Sequence, residues 1–271
     1  MAVVGVSMVR DEADIIPAVI KHMWSQVDAL LIADNGSIDG TREMLEAMMG
    51  SSTIPFVVVD DSEVGYYQSR KMTGLAAIAR DLFEAEWIVP FDADEIWTHV
   101  GGWPLKDVLP GLKHDIIHVP LFDHVATGAL DSEPIGRMGW RRPQAAPLPK
   151  TCFRWKPELT IGMGNHDVRI EEEIRQGTTI PGLMIHHFPY RSTRQVITKI
   201  RNGAQAYAAT DLPDVYGGHW RGWGSILEAE GEPAIEKLFR KWHWREFPER
   251  KLTIDGESQP ALVFDPVKLG V

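Results

Sequence analysis

Asp92, Asp94 and Glu95 stand together at the end of the apolar run Trp87-Ile88-Val89-Pro90-Phe91. A short apolar run reads as a buried strand, and carboxylates crowded at its end are costly unless positive charge lies beside them. In extended geometry alternate side chains share a face, so Asp92 and Asp94 aim at one spot and Glu95 points away, bracing the loop. Two carboxylates aimed from a strand end suit a hard divalent cation shared with a phosphate. Acids recur in the same setting: Asp34 closes the apolar residues 29–33, and Asp60 with Asp61 close 56–59. One such Asp is an ordinary turn former. Their recurrence at the ends of successive strands marks a site.

Other residues can join this chemistry. His186 and His187 are adjacent at a strand end, so only one of them can face a metal. Asp167, in the turn Gly162-Met163-Gly164-Asn165-His166-Asp167, is the candidate general base, with Glu171 to Glu173 next in line. Gln68 and Lys71 lie on the helix ahead of the Asp92 strand and can reach a base or phosphate, or else form a solvated face. Arg137, Trp140, Arg141 and Arg142 form a cationic and aromatic set in a Pro/Gly-rich loop at 131–149, suited to an acceptor or a phosphate. The first strand leads into Ser7-Met8-Val9-Arg10-Asp11-Glu12, which matches neither GxGxxG nor GxxxxGKS, so dinucleotide and P-loop chemistry lose their main support. Asp92-Ala93-Asp94 also resembles the nucleophile strand of haloacid-dehalogenase phosphatases, but Ile96 stands where that pattern wants Thr or Val.

The elements that must position these groups alternate. Apolar runs at 3–9, 29–33, 56–59 and 87–91 read as strands, and the helical spacings at 11–24, 41–48 and 66–85 read as helices between them. Ser37, Asp39 and Thr41 offer caps for the second helix. This βαβαβαβ order predicts an α/β fold, a Rossmann-type mostly parallel sheet flanked by helices, whose ligands bind at the carboxyl ends of the strands. Further strands are expected at 115–122, 151–155, 168–170 and 182–188, then a helix capped by Ser192 with Val196, Ile197, Ile200 and Ala204 on one face. Residues 1–210 form the expected catalytic domain, with a nucleotide half at about 1–100 and an acceptor half at about 101–210. A helical extension follows at 211–271. Its aromatic clusters, Tyr216 to Trp223 and Trp242-His243-Trp244, read as packing for an appended helix, with Lys237, Arg240, Lys241 and Arg245 available for peripheral contact with a membrane surface.

The 271 residues carry a formal net charge of −10, which argues against a nucleic-acid partner. Cys152 is the single cysteine, so there is neither a disulfide framework nor a thiolate metal cluster, and a reducing, cytoplasmic setting is expected. The first apolar run carries no leading charge and is too short to span a bilayer; it reads as a strand rather than a signal peptide.

Three stretches in order, Ser7-Met8-Val9-Arg10-Asp11-Glu12, Ala33-Asp34-Asn35-Gly36-Ser37-Ile38-Asp39-Gly40-Thr41 and Phe91-Asp92-Ala93-Asp94-Glu95, resemble the successive signatures of family 2 glycosyltransferases. His187-Phe188-Pro189-Tyr190-Arg191-Ser192 with Lys199 resembles the metal-binding His and following helix of the same enzymes. The resemblance implies the GT-A fold and inverting transfer from a nucleotide sugar (UDP-, GDP- or dTDP-linked) to an acceptor hydroxyl, with Mn2+ or Mg2+. It implies that Asp34 holds the base, that Arg10 and Glu12 line the same pocket, that Asp92 lies near the ribose and metal, and that Asp94 and His187 bind the metal. The family's Glu-Asp base pair is missing, and Asn165-His166-Asp167 is its nearest substitute. Residues 100–160 and those beyond 210 match no signature. A nucleotidyltransferase, a haloacid-dehalogenase-like phosphatase and a non-catalytic nucleotide-sugar-binding protein are the alternatives.

Overall fold

The computed structural model describes residues 2–128 and 134–269. Its first part runs β1 (Ala2–Val9), α1 (Ile16–Gln26), β2 (Ala29–Asp34), α2 (Thr41–Ser51), β3 (Phe56–Asp60), α3 (Gln68–Phe83) and β4 (Ala85–Pro90). Then follow β5 (Glu95–His99), α4 (Leu105–Val108), β6 (Ile116–Val119), β7 (Leu121–Thr127), α5 (Pro134–Arg137), β8 (Trp140–Arg141) and β9 (Lys150–Arg154). Short strands β10 (Thr160–Ile161), β11 (Val168–Ile170) and β12 (Glu173–Ile174) precede β13 (Leu183–His187). The chain closes with α6 (Thr193–Ala208), α7 (Gly218–Glu230), α8 (Glu232–Trp242), β14 (Trp244–Arg245), β15 (Leu252–Ile254), β16 (Glu257–Gln259) and β17 (Val263–Phe264).

The central sheet has the order β3-β2-β1-β4-β9-β6. Its first four strands are parallel, and β9 runs antiparallel between β4 and β6. Alternation along the strands sends side chains to two covered faces. Val3, Leu30, Ile32, Trp87 and Val89 pack under α1 and α2, burying Ile16, Ile20, Met23 and Leu45. Val4, Val6, Leu31 and Ile88 pack under α3 against Met72, Leu75, Ala76 and Ala79. Burying each large apolar side chain is worth roughly 1.5–3 kcal/mol. The expected α/β fold with a mostly parallel, helix-flanked sheet is therefore present. Gly5 lets the core close: a Cβ there would lie 2.8 Å from the Leu30 side chain and 3.1 Å from the Phe91 ring.

Several local expectations differ from the structure. The first helix begins at Ile16, not Asp11, because Asp11 has a left-handed backbone (φ 54°) and residues 11–14 form a loop. The expected strand at 115–122 is two strands in different sheets, divided at Pro120, which has no N–H to donate to a ladder. Glu95–His99, unread in the sequence, is β5; it pairs antiparallel with β13 in a second sheet ordered β17-β8-β7-β13-β5. Residues 131–133 of the expected loop lie outside the described residues. The rest of that loop holds α5 and β8. Arg141 pairs with Asp265 (2.6 Å) and Arg142 reaches Gln259 and the Trp242 carbonyl in the C-terminal segment, while Arg137 donates to the Arg191 carbonyl at 2.7 Å.

Residues beyond 210 are woven into the rest of the fold. Ile235 and Phe239 of α8 belong to the main core, β14 pairs with β7, and β17 pairs with β8. Of the basic groups on this segment, Arg245 is buried, and Arg240 and Lys241 pair with Glu236 and Asp255. Among the described residues no helix is long and apolar enough to cross a membrane.

Candidate functional site

The strand ends fall into register. Val9 pairs with Asp34 and Asp34 with Asp60, so the acids that close β2 and β3 lie along one sheet edge. The loop after β2 then holds the loop after β1. Ser37 Oγ, Thr41 Oγ1 and Asp39 Oδ2 accept from the backbone N–H groups of Asp11, Glu12 and Ala13 at 3.0, 2.9 and 3.0 Å. Ser37 and Thr41 are thus spent on a different backbone, while Asp39 serves both, its Oδ1 accepting from the Thr41 N–H at 3.0 Å at the start of α2, where Gly40 itself offers no side-chain cap. The result fixes Glu12, whose carboxylate pairs with the fully buried Arg191 guanidinium. Burial nonetheless pushes the Glu12 carboxyl up, against the pull of Arg191 and Lys199.

Asp92 and Asp94 sit on a turn between β4 and β5, closed by the Glu95 N–H donating to the Asp92 carbonyl at 3.1 Å. The extended alternation expected from the sequence is therefore not what aims them; the turn is. Glu95 is fully buried, accepts from the Asp92 N–H (3.1 Å) and braces this turn from behind. Asp92 is held on both oxygens, by Lys150 Nζ and by Asn165 Nδ2 at 3.0 Å. Lys150 is there because β9 runs antiparallel to β4 and begins where β4 ends. Its ammonium also lies 2.8 Å from Glu95 Oε1, an ion-pair distance off the hydrogen-bonding direction.

Asp94, 3% exposed, faces two cations and a histidine. Lys199 Nζ donates to Oδ2 at 2.5 Å, an Arg191 nitrogen lies 3.8 Å from the same oxygen, and His187 Nε2 lies 3.6 Å from Oδ1. Burial alone would raise this carboxyl, but Lys199, His187 and Arg191 hold it well below the usual carboxylate range. Lys199 is pushed up in turn: burial opposes its charge, and Asp94 and Glu12 more than restore it. The ladder explains His187. It pairs with Glu95 across β5 and with Asp123 across β7, and its Nδ1 bonds Asp123 Oδ1 at 2.8 Å. His186 points the other way, to His124 (2.9 Å).

These groups form one side of a cavity of about 350 Å3. Of the expected site residues, Arg10, Glu12, Gln68, Asp92, Asp94 and His187 line it. Arg10 bonds Gln205 Oε1 at 3.1 Å through one nitrogen, while its Nε and other terminal nitrogen are buried with no hydrogen-bond partner among the described residues. Asp34, Lys71 and Asp167 do not line the cavity. Asp34 stands beside Asn35, which does, and its buried Oδ1 has no partner among the described residues. Lys71 pairs with Asp61 at 2.7 Å, and Asp167 is held by Arg169 at 2.8 Å.

The opposite side was not read from the sequence. Tyr66, Tyr190, Tyr207, His219 and Trp220 line it, carried by the start of α3, the segment after β13, α6 and α7. Tyr66 and Tyr207 rings meet at 4.8 Å, and Tyr190 stacks on His243 of the C-terminal segment at 3.8 Å. The extension expected only to pack thus also builds the cavity.

The donor set fits a divalent cation. The 3.6 Å between Asp94 Oδ1 and His187 Nε2 is too long for a hydrogen bond, yet matches two ligands of one ion at about 2.1 Å each. Asp123 on His187 Nδ1 is the outer carboxylate that orients such a histidine. Among the described residues no group of three or more His, Cys, Asp or Glu is placed to hold a metal ion, so the pair would need ligand oxygens to complete its coordination. Asp92, expected as a further ligand, is committed to Lys150 and Asn165 instead.

No family model matches the chain, and no curated protein matches it. Among solved structures, TarS of S. aureus, residues 1–349, is similar at 9% identity over 95% of this chain and 96% of that chain, with a TM-score of 0.43. TarS in complex with UDP-GlcNAc gives 10% identity over 95% and 96%, TM-score 0.41. A putative glucose-1-phosphate thymidylyltransferase from Bacillus anthracis in complex with a sucrose gives 8% identity over 90% and 98%, TM-score 0.33. At such scores a likeness does not fix a shared activity.

Proposed function

We propose that the chain is a glycosyltransferase that moves a sugar from a nucleotide diphosphate-sugar to an acceptor hydroxyl, with inversion and with Mn2+ or Mg2+ held by Asp94 and His187. The observation that carries this reading is a single cavity at the carboxyl edge of a parallel sheet that joins an unbridged Asp94–His187 pair to an Arg10 guanidinium with unmet donors. The sequence resemblance supplies the class of donor. When bound, the cation would neutralise charge developing on the departing diphosphate.

The chain's own residues do the rest. Arg10 supplies free N–H donors to phosphate oxygens or to the edge of the base. Lys199, already fixed by Asp94 and Glu12, adds a second cation that needs no reorganisation. Asp34 Oδ1, an acceptor without a partner, suits an N–H of the base beside Asn35. For the acceptor's proton, Glu12, Asp92 and Asp94 are the carboxylates that reach the cavity.

The test is hydrolysis or transfer of UDP-, GDP- and dTDP-sugars by the wild type, with Mn2+ or EDTA, and by Asp94→Asn. Turnover of at least one donor should fall a hundredfold or more with EDTA and with the variant. Full activity of Asp94→Asn would overturn the metal role, and turnover of none of the donors would overturn the transferase reading.

A further inference from the structure

On the aromatic side of the cavity, Trp220 and Trp223 are half-buried against the main core while Trp220 also lines the cavity wall. None of the side chains of α7 is fully buried, yet the helix carries Trp220 and Trp223. Its contact with α6 is made through small residues: a Cβ on Gly224 would lie 2.5 Å from the Ala204 Cβ. Gly203 is the seat of Trp220. A Cβ added there would meet three indole atoms at 2.9–3.0 Å, so the ring lies face-on over the helix backbone at that point. Trp223 at 5.8 Å in an edge contact, and His219 at 4.6 Å, fix the plane of the indole. The indole is thereby held flat, while it remains part of the cavity wall.

Its position relative to the ionic side follows from the helix. Lys199, which donates to Asp94, and Gly203, which seats Trp220, are four residues apart on α6 and so share a face, about one turn from each other. Asn202 and Glu12 add polar groups to the same cavity wall. A flat apolar surface one turn from a diphosphate site, in a wall that also holds hydrogen-bonding groups, matches the two-sided chemistry of a pyranose. Such a ring has an apolar C–H face and an equatorial rim of hydroxyls. A ligand pocket uses an aromatic surface for area and a few polar groups for orientation.

We infer that Trp220, seated on Gly203, is the stacking platform for a hexose ring at the reacting end of the cavity. This deepens the reading of the cavity as a sugar-transfer site and rests on it. The hexose has two possible sources, the sugar of the donor and the sugar of a saccharide acceptor, and the same indole chemistry serves both.

Calorimetric titration of the full chain separates the cases. The probes are UDP, GDP and dTDP with Mn2+, the matching nucleotide hexoses, and free glucose, galactose, mannose and N-acetylglucosamine with their disaccharides; the variants are Trp220→Ala, Trp220→Phe and Gly203→Val. A tenfold or greater loss of nucleotide-hexose affinity in Trp220→Ala, with the nucleoside diphosphate shifted less than twofold, assigns the platform to the donor sugar. A tenfold loss confined to a free saccharide assigns it to the acceptor. Either result is supported further when Trp220→Phe restores most of the loss and Gly203→Val reproduces it by lifting the indole. Equal weakening of nucleoside diphosphate and nucleotide hexose means that Trp220 holds the nucleotide, and overturns the inference. So does unchanged affinity for every sugar-bearing probe, or binding by none of them. Binding of nucleoside diphosphates alone leaves the donor-site reading standing while the platform falls, and binding of free saccharides alone does the reverse.

Discussion

The two sides of the cavity are built by different rules. On the ionic side, Asp92, Asp94, Glu12, Lys150, Arg191, Lys199 and His187 are fixed by strand register and by buried charge pairs, each carboxylate meeting a cation. On the aromatic side, Tyr190, Tyr207, Trp220 and His243 are fixed by ring contacts and by close helix approach at Gly203, Gly217 and Gly224. Buried ion pairs break steeply when one partner is lost, because the other is left charged in a poor solvent. Ring contacts yield gradually, each worth about 0.5–1.5 kcal/mol beyond the area buried. The cavity therefore has a stiff half, suited to charge that develops in a reaction, and a more adjustable half, suited to a ligand's shape.

That difference predicts unequal responses. Arg191→Met removes the partner of Glu12 and Asp14 and a neighbour of Asp94 at a fully buried position, and should cost about 3–5 kcal/mol in urea unfolding. Loss of less than about 1 kcal/mol would mean that the ionic half is not held by these pairs. Acid should act on the aromatic half. Burial, aided by Arg142 and opposed by Asp123, lowers the His243 imidazole to about 4 from an ordinary 6.5. A depressed folded value means that its contribution is complete above about pH 6.5 and is lost as pH falls through about 4. Allowing for its partial exposure, the loss should be about 2 kcal/mol, read as the difference in urea midpoint between pH 7 and 4. His243→Phe should shrink that difference by about 2 kcal/mol and leave the part due to His124 and His186, which burial also lowers to about 4; a wild-type difference kept by the variant would count against it. At Gly203, the substitution to Ala asks the indole to move by a few tenths of an ångström and should cost about 1–2 kcal/mol in thermal or urea unfolding; a neutral result would show that the ring is not seated there. Smallest is the joint between the halves. Ser192 Oγ accepts from the Gln195 N–H at 3.2 Å at the start of α6, and Ser192→Ala should cost about 1 kcal/mol in the same assay.

The sequence was readable in the ionic half to the extent that its signals are local. The alternation of apolar runs and helical spacings gave the four parallel strands, and acids at their ends gave the edge. The Ser192 cap stands as expected. What stayed hidden depends on partners distant in the chain. Glu95–His99 is a strand only because β13 supplies its ladder, from residues 183–187. Lys150 is a neighbour of Asp92 only because β9 turns back antiparallel beside β4, a direction that periodicity does not encode. Asp167 follows a suggestive turn, but Arg169 two residues on takes its carboxylate. The aromatic half was harder still. α7 carries an apolar period at Trp220, Trp223, Ile226 and Leu227 that packs half-buried on the core, but the roles of Gly203 and Trp220 exist only once α6 and α7 are packed together. The turn that aims Asp92 and Asp94 was read as extended strand, since both conformations put the two carboxylates on one side.

The proposed function places a cation shared with a nucleoside diphosphate in the gap between Asp94 and His187. Calorimetric titration of UDP, GDP and dTDP into the full chain, with Mn2+ and then with EDTA, measures that directly when wild type is set beside Asp94→Asn. The account predicts that at least one nucleotide binds in Mn2+ and that its affinity falls at least tenfold both with EDTA and in the variant. Affinity that is the same with and without Mn2+, and in both proteins, would contradict it.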